Sequence, residues 1–320
     1  MKQHDLIICV GELLIDFFCL DKNVSLIDGS NFEKQAGGAP ANVSAAVSKL
    51  GGAAAFVGMV GNDPFGAFLK KTLEDEQVDT SMLFQTDQAA TTLAFVSLQE
   101  DGERDFIFNR GADRLLEFND LHLDRIKEGK IIHFGSATAL LEDPFQTTYF
   151  QLMDYSIQEG LFVSFDPNYR QALWGGRMEE FVTLAQKGIS KAGFVKVSEE
   201  ELEIIAGSSS KEASVDFLHQ LGAKIVAVTL GKNGTLISNG LQKQMIPSIE
   251  IKSIDSTGAG DAFVGATLYQ LSQLQDLKIN RFDIDSLTEL IHFSNAVGAM
   301  VCTKRGAISS LPTLEEVGKV

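Results

Sequence analysis

The stretch "DSTGAGDAFVGATL", Asp255 to Leu268, ends a loop of small residues on a carboxylate, Asp261. Gly258, Ala259 and Gly260 have side chains small enough for backbone N–H groups to close on an anion. The run that follows, with Phe263, Ala266, Tyr269 and Leu271 at packing positions, predicts a helix opening at these glycines. A helix N-terminus carries unpaired donors and partial positive charge. Asp261 in its first turn admits two readings. It caps the helix, or it takes a proton from a substrate hydroxyl while the Gly258–Gly260 amides stabilise charge on a transferring phosphoryl group. The spacing is not a dinucleotide G-x-G-x-x-G, because Phe263 stands at the third glycine, and no G-x-x-x-x-G-K-[ST] phosphate loop occurs.

Four further stretches carry polar residues where chemistry could gather. In "QAGGAPANVSAAVSKLGG", Gly37 and Gly38 precede a helix and Asn42 projects from its first turn, offering donors and an acceptor to sugar hydroxyls. The plainer reading is a glycine turn with an asparagine near a helix start. Asp16 in "GELLIDFF" interrupts an apolar run just after the first strand, so it bonds locally or awaits a polyol. "FDPNYRQALW" puts Asp166, Asn168 and Arg170 at a strand end; Arg170 holds a ligand or pairs with an acid. "VTLGKNGTLI" is a strand and a glycine turn that could lie on nucleotide phosphates through Thr229 and Gly231, or a plain β-turn.

The elements that must position these residues are legible in the hydrophobic pattern. Short apolar runs recur at "LIICVG", "AAFVGMVG", "IIHFG", "LFVSFDP", "GFVKVS" and "KIVAVTLG", most separated by stretches of helical spacing. In "PANVSAAVSKLGG", Val43, Ala46, Val47 and Leu50 share a helix face, Pro40 suits the first turn and Gly51 the C-terminal cap. Doubly apolar strands alternating with helices predict an α/β fold with a mostly parallel sheet covered on both faces. "IEIKSIDS" reads as a strand end and turn. "CLDKNVSLIDGSNFEKQAGG" and "TTLAFVSLQEDGERDFIFNRGADR" read as hairpins with turns at "DGS" and "EDGER". They predict a small β-sheet, roughly 17–36 and 90–113, inserted in one domain spanning 1–320 and able to cover a site.

Composition excludes several function classes. The chain has 27 basic against 43 acidic residues, a net charge of −16 at pH 7, which offers nucleic acid no broad basic footprint. An anionic ligand then needs a local cradle of amides, a few Lys or Arg, and a metal ion. Cys9, Cys19 and Cys302 form no C-x-x-C site and sit in apolar surroundings, which predicts buried free thiols in a reducing, cytoplasmic setting. "MKQHDLIICVGELLIDF" reads as a strand rather than a signal peptide, and no run has the ~20 apolar residues of a membrane span.

Taken in order, "GELLIDF", "GGAPANVSAAVSKLGG", "VGMVGNDPFG", "DPNYRQALW", "VTLGKNG", "DSTGAGDAF" and "TKRGAISSLPT" resemble the ribokinase-like (PfkB-type) carbohydrate kinases, bacterial fructokinases in particular, over essentially the whole chain. The pairing of "GGAPANV" with "DSTGAGDAF" is the specific part. The resemblance implies a ribokinase-like fold with a β-sheet lid, ATP and Mg²⁺ as cofactors, and a homodimer formed through the lid. It implies that Asp261 is the base, Gly258 to Gly260 the anion hole, and Asp16, Gly37, Gly38, Asn42 and Arg170 the sugar side. Lys196, Ser198, Thr229, Gly231, Gly234 and Asn295 fall on the nucleotide side. The family's metal-associated N-x-x-E stands here as "SEEE", which leaves Glu201 to reach Mg²⁺ through water. Asp255, Thr257, Gly306 and Ser310 are compatible with a K⁺ site. The expected activity is transfer of the γ-phosphoryl of ATP to a primary hydroxyl of D-fructose. The rivals are 2-keto-3-deoxygluconate, ribose or a riboside as substrate, and a sugar-binding protein without turnover.

Overall fold

The computed structural model describes residues 5–21, 23–98, 104–277 and 282–319. A large sheet is built from β1 (Ile7–Val10), β4 (Ala54–Gly61), β5 (Asp79–Thr86), β8 (Ile131–Phe134), β9 (Phe162–Phe165), β10 (Phe194–Ser198), β11 (Ile225–Thr229), β12 (Thr235–Ser238) and β13 (Lys243–Ile246). Their spatial order is β13-β12-β11-β10-β9-β8-β1-β4-β5. Neighbours from β11 to β5 run parallel, and β12 and β13 close one edge antiparallel.

The six apolar runs are the strands the sequence predicts, and the reason is burial on both sides. Ile7 and Cys9 of β1 join a core with the helices Ala39–Lys49, Ala259–Ser272 and Ile284–Val301, whereas Ile8 and Val10 face a second core with the helices Phe145–Gln158 and Met178–Ile189. Each such side chain contributes roughly 1.5–3 kcal/mol on burial, so a polar substitution on either face is costly. The expected helix runs from Ala39 to Lys49 with Pro40 in its first turn; Val43, Ala46, Val47 and Leu50 are all buried, and Gly51 has φ +89°.

One predicted strand is absent. "IEIKSI" alternates apolar and polar residues, yet 249–254 form no strand, and Ile251 and Ile254 are exposed. β13 ends at Ile246, and Pro247 cannot donate to a ladder, so the chain leaves the sheet there.

A separate small sheet comprises β2 (Leu14–Cys19), β3 (Phe32–Gly37), β6 (Leu93–Leu98) and β7 (Arg104–Asn109), in the order β3-β2-β6-β7. Its first strand begins at Leu14, ahead of the expected 17, and so takes Asp16 into the small sheet rather than leaving it after the first strand. The "DGS" turn lies in the connection between β2 and β3; of "EDGER", residues 100–103 lie outside the described residues. Register divides the two faces. Phe17 and Phe95 stack at 5.0 Å, Phe17 meets Phe65 edge-on, and the Lys34 ammonium lies 3.7 Å from the Phe68 ring centre, so this face packs on the helix Pro64–Asp75. The other face carries Asp16 with Phe18, Val96, Phe106 and Phe108.

Candidate active site

The polar residues collect where β1, β8, β9, β10 and β11 end, the position at which parallel α/β sheets place their chemistry. The helix of Asp261 starts at Ala259. Its N-cap is Gly258, in the left-handed region at φ +77° and with no side chain to cap the first amides. Glycine is required at 258 also by space, because a Cβ there would lie 2.6 Å from the Cβ of Ala307. Asp261 does not cap this helix. Its Oδ2 accepts a 2.8 Å hydrogen bond from Nδ2 of Asn42, on the neighbouring helix Ala39–Lys49. Burial raises the Asp261 carboxyl above its ordinary value, while the Asn42 amide and the charges of Arg170 and Lys196 pull it back. Oδ1 of Asn42 is buried and has no partner among the described residues, which leaves an acceptor open beside the Asp261 carboxyl.

Asp16 stands within electrostatic reach of Asp261. Burial pushes its carboxyl up to about 7, against the pull of Arg170 and with the added repulsion of Asp261. Gly37 makes room for it, and Gly38 lets the chain pass the backbone of Glu12. A Cβ on Gly37 would fall 2.0 Å from Asp16 Oδ2, and one on Gly38, at φ +108°, would fall 2.4 Å from the Glu12 carbonyl oxygen. Gly38 is the N-cap of its helix and has no side chain to offer, so Glu12 caps from across the chain: its Oε1 accepts from Ala39 N at 3.1 Å. Burial lifts the Glu12 carboxyl to about 7, although Ser136 Oγ donates to it.

On the opposite side of the anion loop lies Lys196, a buried lysine of β10. Its Nζ is 2.9 Å from Oδ2 of the buried Asp166, and the point a Cβ on Gly260 would occupy is 3.6 Å from that Nζ. An ammonium therefore borders the glycine loop. Burial alone would depress its pKa; the fields of Asp166, Glu201 and Asp261 hold it above the ordinary value, so it is charged. Glu201 is buried and committed: Oε1 accepts from Tyr169 N at 2.8 Å and Oε2 from Ser198 N at 2.6 Å. Ser198 Oγ accepts from Glu201 N in return, so "SEEE" is a capping box opening the helix Glu199–Ala206.

Ser198 and Thr229 pair in register at the ends of β10 and β11, and the open turn of Gly231 follows. Gly234, at φ +94°, could carry no Cβ, which would lie 2.0 Å from the Ile246 carbonyl oxygen. Asn295 is spent on structure: its Oδ1 accepts from Thr235 Oγ1 at 2.7 Å, and its Nδ2 donates to the carbonyls of Ile246 and Pro247. Asp255 accepts from Thr257 N and Oγ1 through Oδ1, and from Gly306 N at 3.1 Å through Oδ2. This ties the loop after Lys304 to the anion loop; Ser310 Oγ donates to the Arg305 carbonyl in that same loop.

Three buried carboxylates have pairings that the sequence does not show. Glu12 registers there only as a break in an apolar run, Asp166 only as a strand-end residue without its lysine, and Asp113 not at all. Asp113 is buried, accepting from Arg110 Nε at 3.1 Å and Thr138 Oγ1 at 2.8 Å. Apart from Arg110, three residues before Asp113, the partners named lie far away in sequence, so no local pattern announces them.

Residues 4–314 match the model of the pfkB family carbohydrate kinase, and the chain belongs to that family. Among curated proteins it is similar to "Fructokinase-1" of Zea mays, 43% identical over 321 residues, covering 98% of this chain and 97% of that protein. Among solved structures it is similar to a fructokinase of Xylella fastidiosa with bound ATP, at TM-score 0.88 and 34% identity, covering 99% of this chain and 98% of that one. A fructokinase of Vibrio cholerae O395, solved in fructose, ADP and calcium ion bound form, matches at TM-score 0.87 and 32% identity, covering 99% of both chains.

Proposed function

We propose that this chain is an ATP-dependent fructokinase that moves the γ-phosphoryl of ATP to a primary hydroxyl of D-fructose, with Asp261 as general base. The observation that carries this is the placing of Asp261 in the first turn of a glycine-opened helix, held by Asn42, with a charged lysine against the same glycines. Phosphoryl transfer asks a protein mainly for positioning and electrostatics, and this arrangement offers both. The similar fructokinases of Xylella fastidiosa and Vibrio cholerae, with their bound ATP, ADP and fructose, support the substrates.

The geometry supports these roles. Asp261 accepts the proton of the attacking hydroxyl, and its raised pKa makes it a stronger base than a solvated aspartate. The glycine-opened helix start at Gly258–Gly260, where Ala259 N already donates to the Ser256 carbonyl, receives the negative charge of the phosphoryl group with Lys196 beside it. Asn42, Asp16 and the backbone of Gly37 and Gly38 take the sugar, and Arg170 balances the carboxylates while facing the incoming phosphoryl. Two carboxylates in mutual reach suit a neutral polyol better than an acidic sugar.

Thr229, Gly231, Gly234 and Ser198 flank the nucleotide, with Asn295 shaping that border from behind. Mg²⁺ takes one or two carboxylates plus phosphate oxygens and keeps several waters. Glu201 fits such a contact through water, since each of its oxygens accepts a single amide and retains a lone pair. The metal would neutralise phosphate charge. Asp255, Thr257, Gly306 and Ser310 border a candidate K⁺ site, for which the side-chain oxygens of Asp255, Thr257 and Ser310 are hard donors; a double-mutant form of the Vibrio cholerae enzyme was solved with potassium.

The small sheet serves as the lid within a single kinase domain. Its Asp16 face carries an apolar stripe with Phe106 exposed, and β7 ends the sheet, which supports a homodimer formed lid to lid. No helix among the described residues is long and apolar enough to cross a membrane. The three cysteines are free thiols, which supports a reducing, cytoplasmic setting.

The test is ADP release from ATP and Mg²⁺ with D-fructose, 2-keto-3-deoxygluconate, ribose and no sugar in parallel. Turnover chiefly with fructose supports the assignment. Preference for the acidic sugar moves it to the rival kinase, and silence with both ligands bound marks a binding protein.

A further inference from the structure

We infer that Asp166, which the proposed mechanism does not use, is a positioning residue that fixes two cations of the phosphoryl site with one carboxylate. This inference rests on the kinase reading and adds a residue to it. Asp166 is 3% exposed, at the end of β9. Its Oδ2 holds Lys196 Nζ at 2.9 Å, and Nζ in turn borders Gly260 of the anion loop. Its Oδ1 accepts from Asn168 N at 3.0 Å. That second bond secures an unusual turn. Asn168 has φ +48°, a conformation most side chains avoid, and its Nδ2 donates to the Gly135 carbonyl at 2.7 Å. The next amide, Tyr169 N, is held by Glu201, and Arg170 leaves the turn directly afterwards. The charge of Arg170 reaches both Asp16 and Asp261.

One buried carboxylate thus links β9 to β10 and sets where both cations stand. A lysine on a flexible stem costs conformational entropy to hold in one place. Asp166 holds it before the nucleotide arrives, and the ammonium is already desolvated and charged where phosphate charge will develop.

Asp166→Asn separates the two tasks. The amide oxygen can still accept from Asn168 N, so the turn and Arg170 stay in place, but an NH₂ group now faces the lysine ammonium and displaces it. Turnover with fructose should fall by about 100-fold, the size of losing one preorganised donor, while KM for the sugar holds. A double-mutant cycle with Lys196→Met then decides the route. If Asp166 acts through Lys196, the pair Asp166→Asn with Lys196→Met turns over as Lys196→Met alone does. A merely structural aspartate gives multiplied losses and a raised sugar KM, which overturns the inference.

Should Asp166→Asn fail to fold with its buried cation unbalanced, the double variant carries neither charge, and its kcat against that of Lys196→Met decides the same question. An Asp166→Asn enzyme within twofold of the parent kcat also overturns the inference. Failure of the kinase reading looks different: the parent enzyme itself would show no turnover with any sugar.

Discussion

Replacing Asn42 with leucine removes one hydrogen bond to Asp261, the proposed base, while keeping the branched shape of the side chain. The bond is 2.8 Å long and joins a buried amide to a carboxylate, so solvent screens it little. Hydrogen bonds to charged groups contribute roughly 1.5–3 kcal/mol. Because about 1.4 kcal/mol corresponds to one pKa unit, the Asp261 carboxyl should titrate roughly 1–2 units higher without its amide. The sign follows from what the bond favours. Asn42 donates to the ionised form, so its loss favours the protonated form, and a general base must be ionised to work.

The acid limb of the kcat–pH profile therefore moves toward alkaline pH by ~1–2 units, and below that limb the rate falls roughly 10- to 100-fold. Raising the pH restores most of it. Asp16, itself lifted to about 7, couples to Asp261, so the limb belongs to the pair and the profile should be repeated with Asp16→Asn. If Asn42 holds the sugar as proposed, leucine also raises KM for the sugar, and the position of the kcat limb is the clean readout. Continuous ADP formation at saturating fructose measures it. A limb that stays in place, moves toward acid, or a rate that alkaline pH does not restore would refute the pairing of Asn42 with the base.

Gly38→Ala puts a Cβ 2.4 Å from a backbone carbonyl oxygen at φ +108°, where neither strain nor clash can relax cheaply. It should cost about 3 kcal/mol or more, read as a lower urea midpoint at unchanged m-value. Excess EDTA should abolish turnover and Mg²⁺ restore it, since a protein of charge −16 must receive a highly charged nucleotide; full activity in EDTA would contradict this. Phe106→Glu places a charge on the apolar Asp16 face of the small sheet and should shift a lid-mediated dimer to monomer by light scattering. An unchanged mass would place the interface elsewhere.

The large parallel sheet is legible in the sequence because strands buried on both faces are mostly apolar, and "LIICVG", "AAFVGMVG" and the "IVAV" of "KIVAVTLG" are continuous apolar runs. β5 and β13 are not: in β5 only Met82, Leu83 and Phe84 are apolar between polar residues, and β13 exposes Lys243, Gln244 and Met245, so neither stands out as an apolar run. "IEIKSI" shows the converse failure, a strand-like alternation with no neighbouring strand to pair with. The glycines at 37, 38 and 258 announce themselves because only glycine fits, and they bracket the site. Its electrostatics are not legible. Glu12 caps a helix from 27 residues away, and Asp166 meets Lys196 only once β9 and β10 lie side by side. The "SEEE" motif carries a local explanation, a capping box, that the sequence pattern for metal contact conceals.

Asp261→Asn tests the central chemistry most directly, since it keeps the shape beside Asn42 and deletes the base. A base in position typically contributes roughly 10²–10⁴-fold to rate. The variant should bind ATP and D-fructose as the parent does, measured by calorimetry, while turnover falls within that range or below detection. Turnover retained at the parent rate, with both ligands bound, would show that the proton leaves by another route and that Asp261 is not the base.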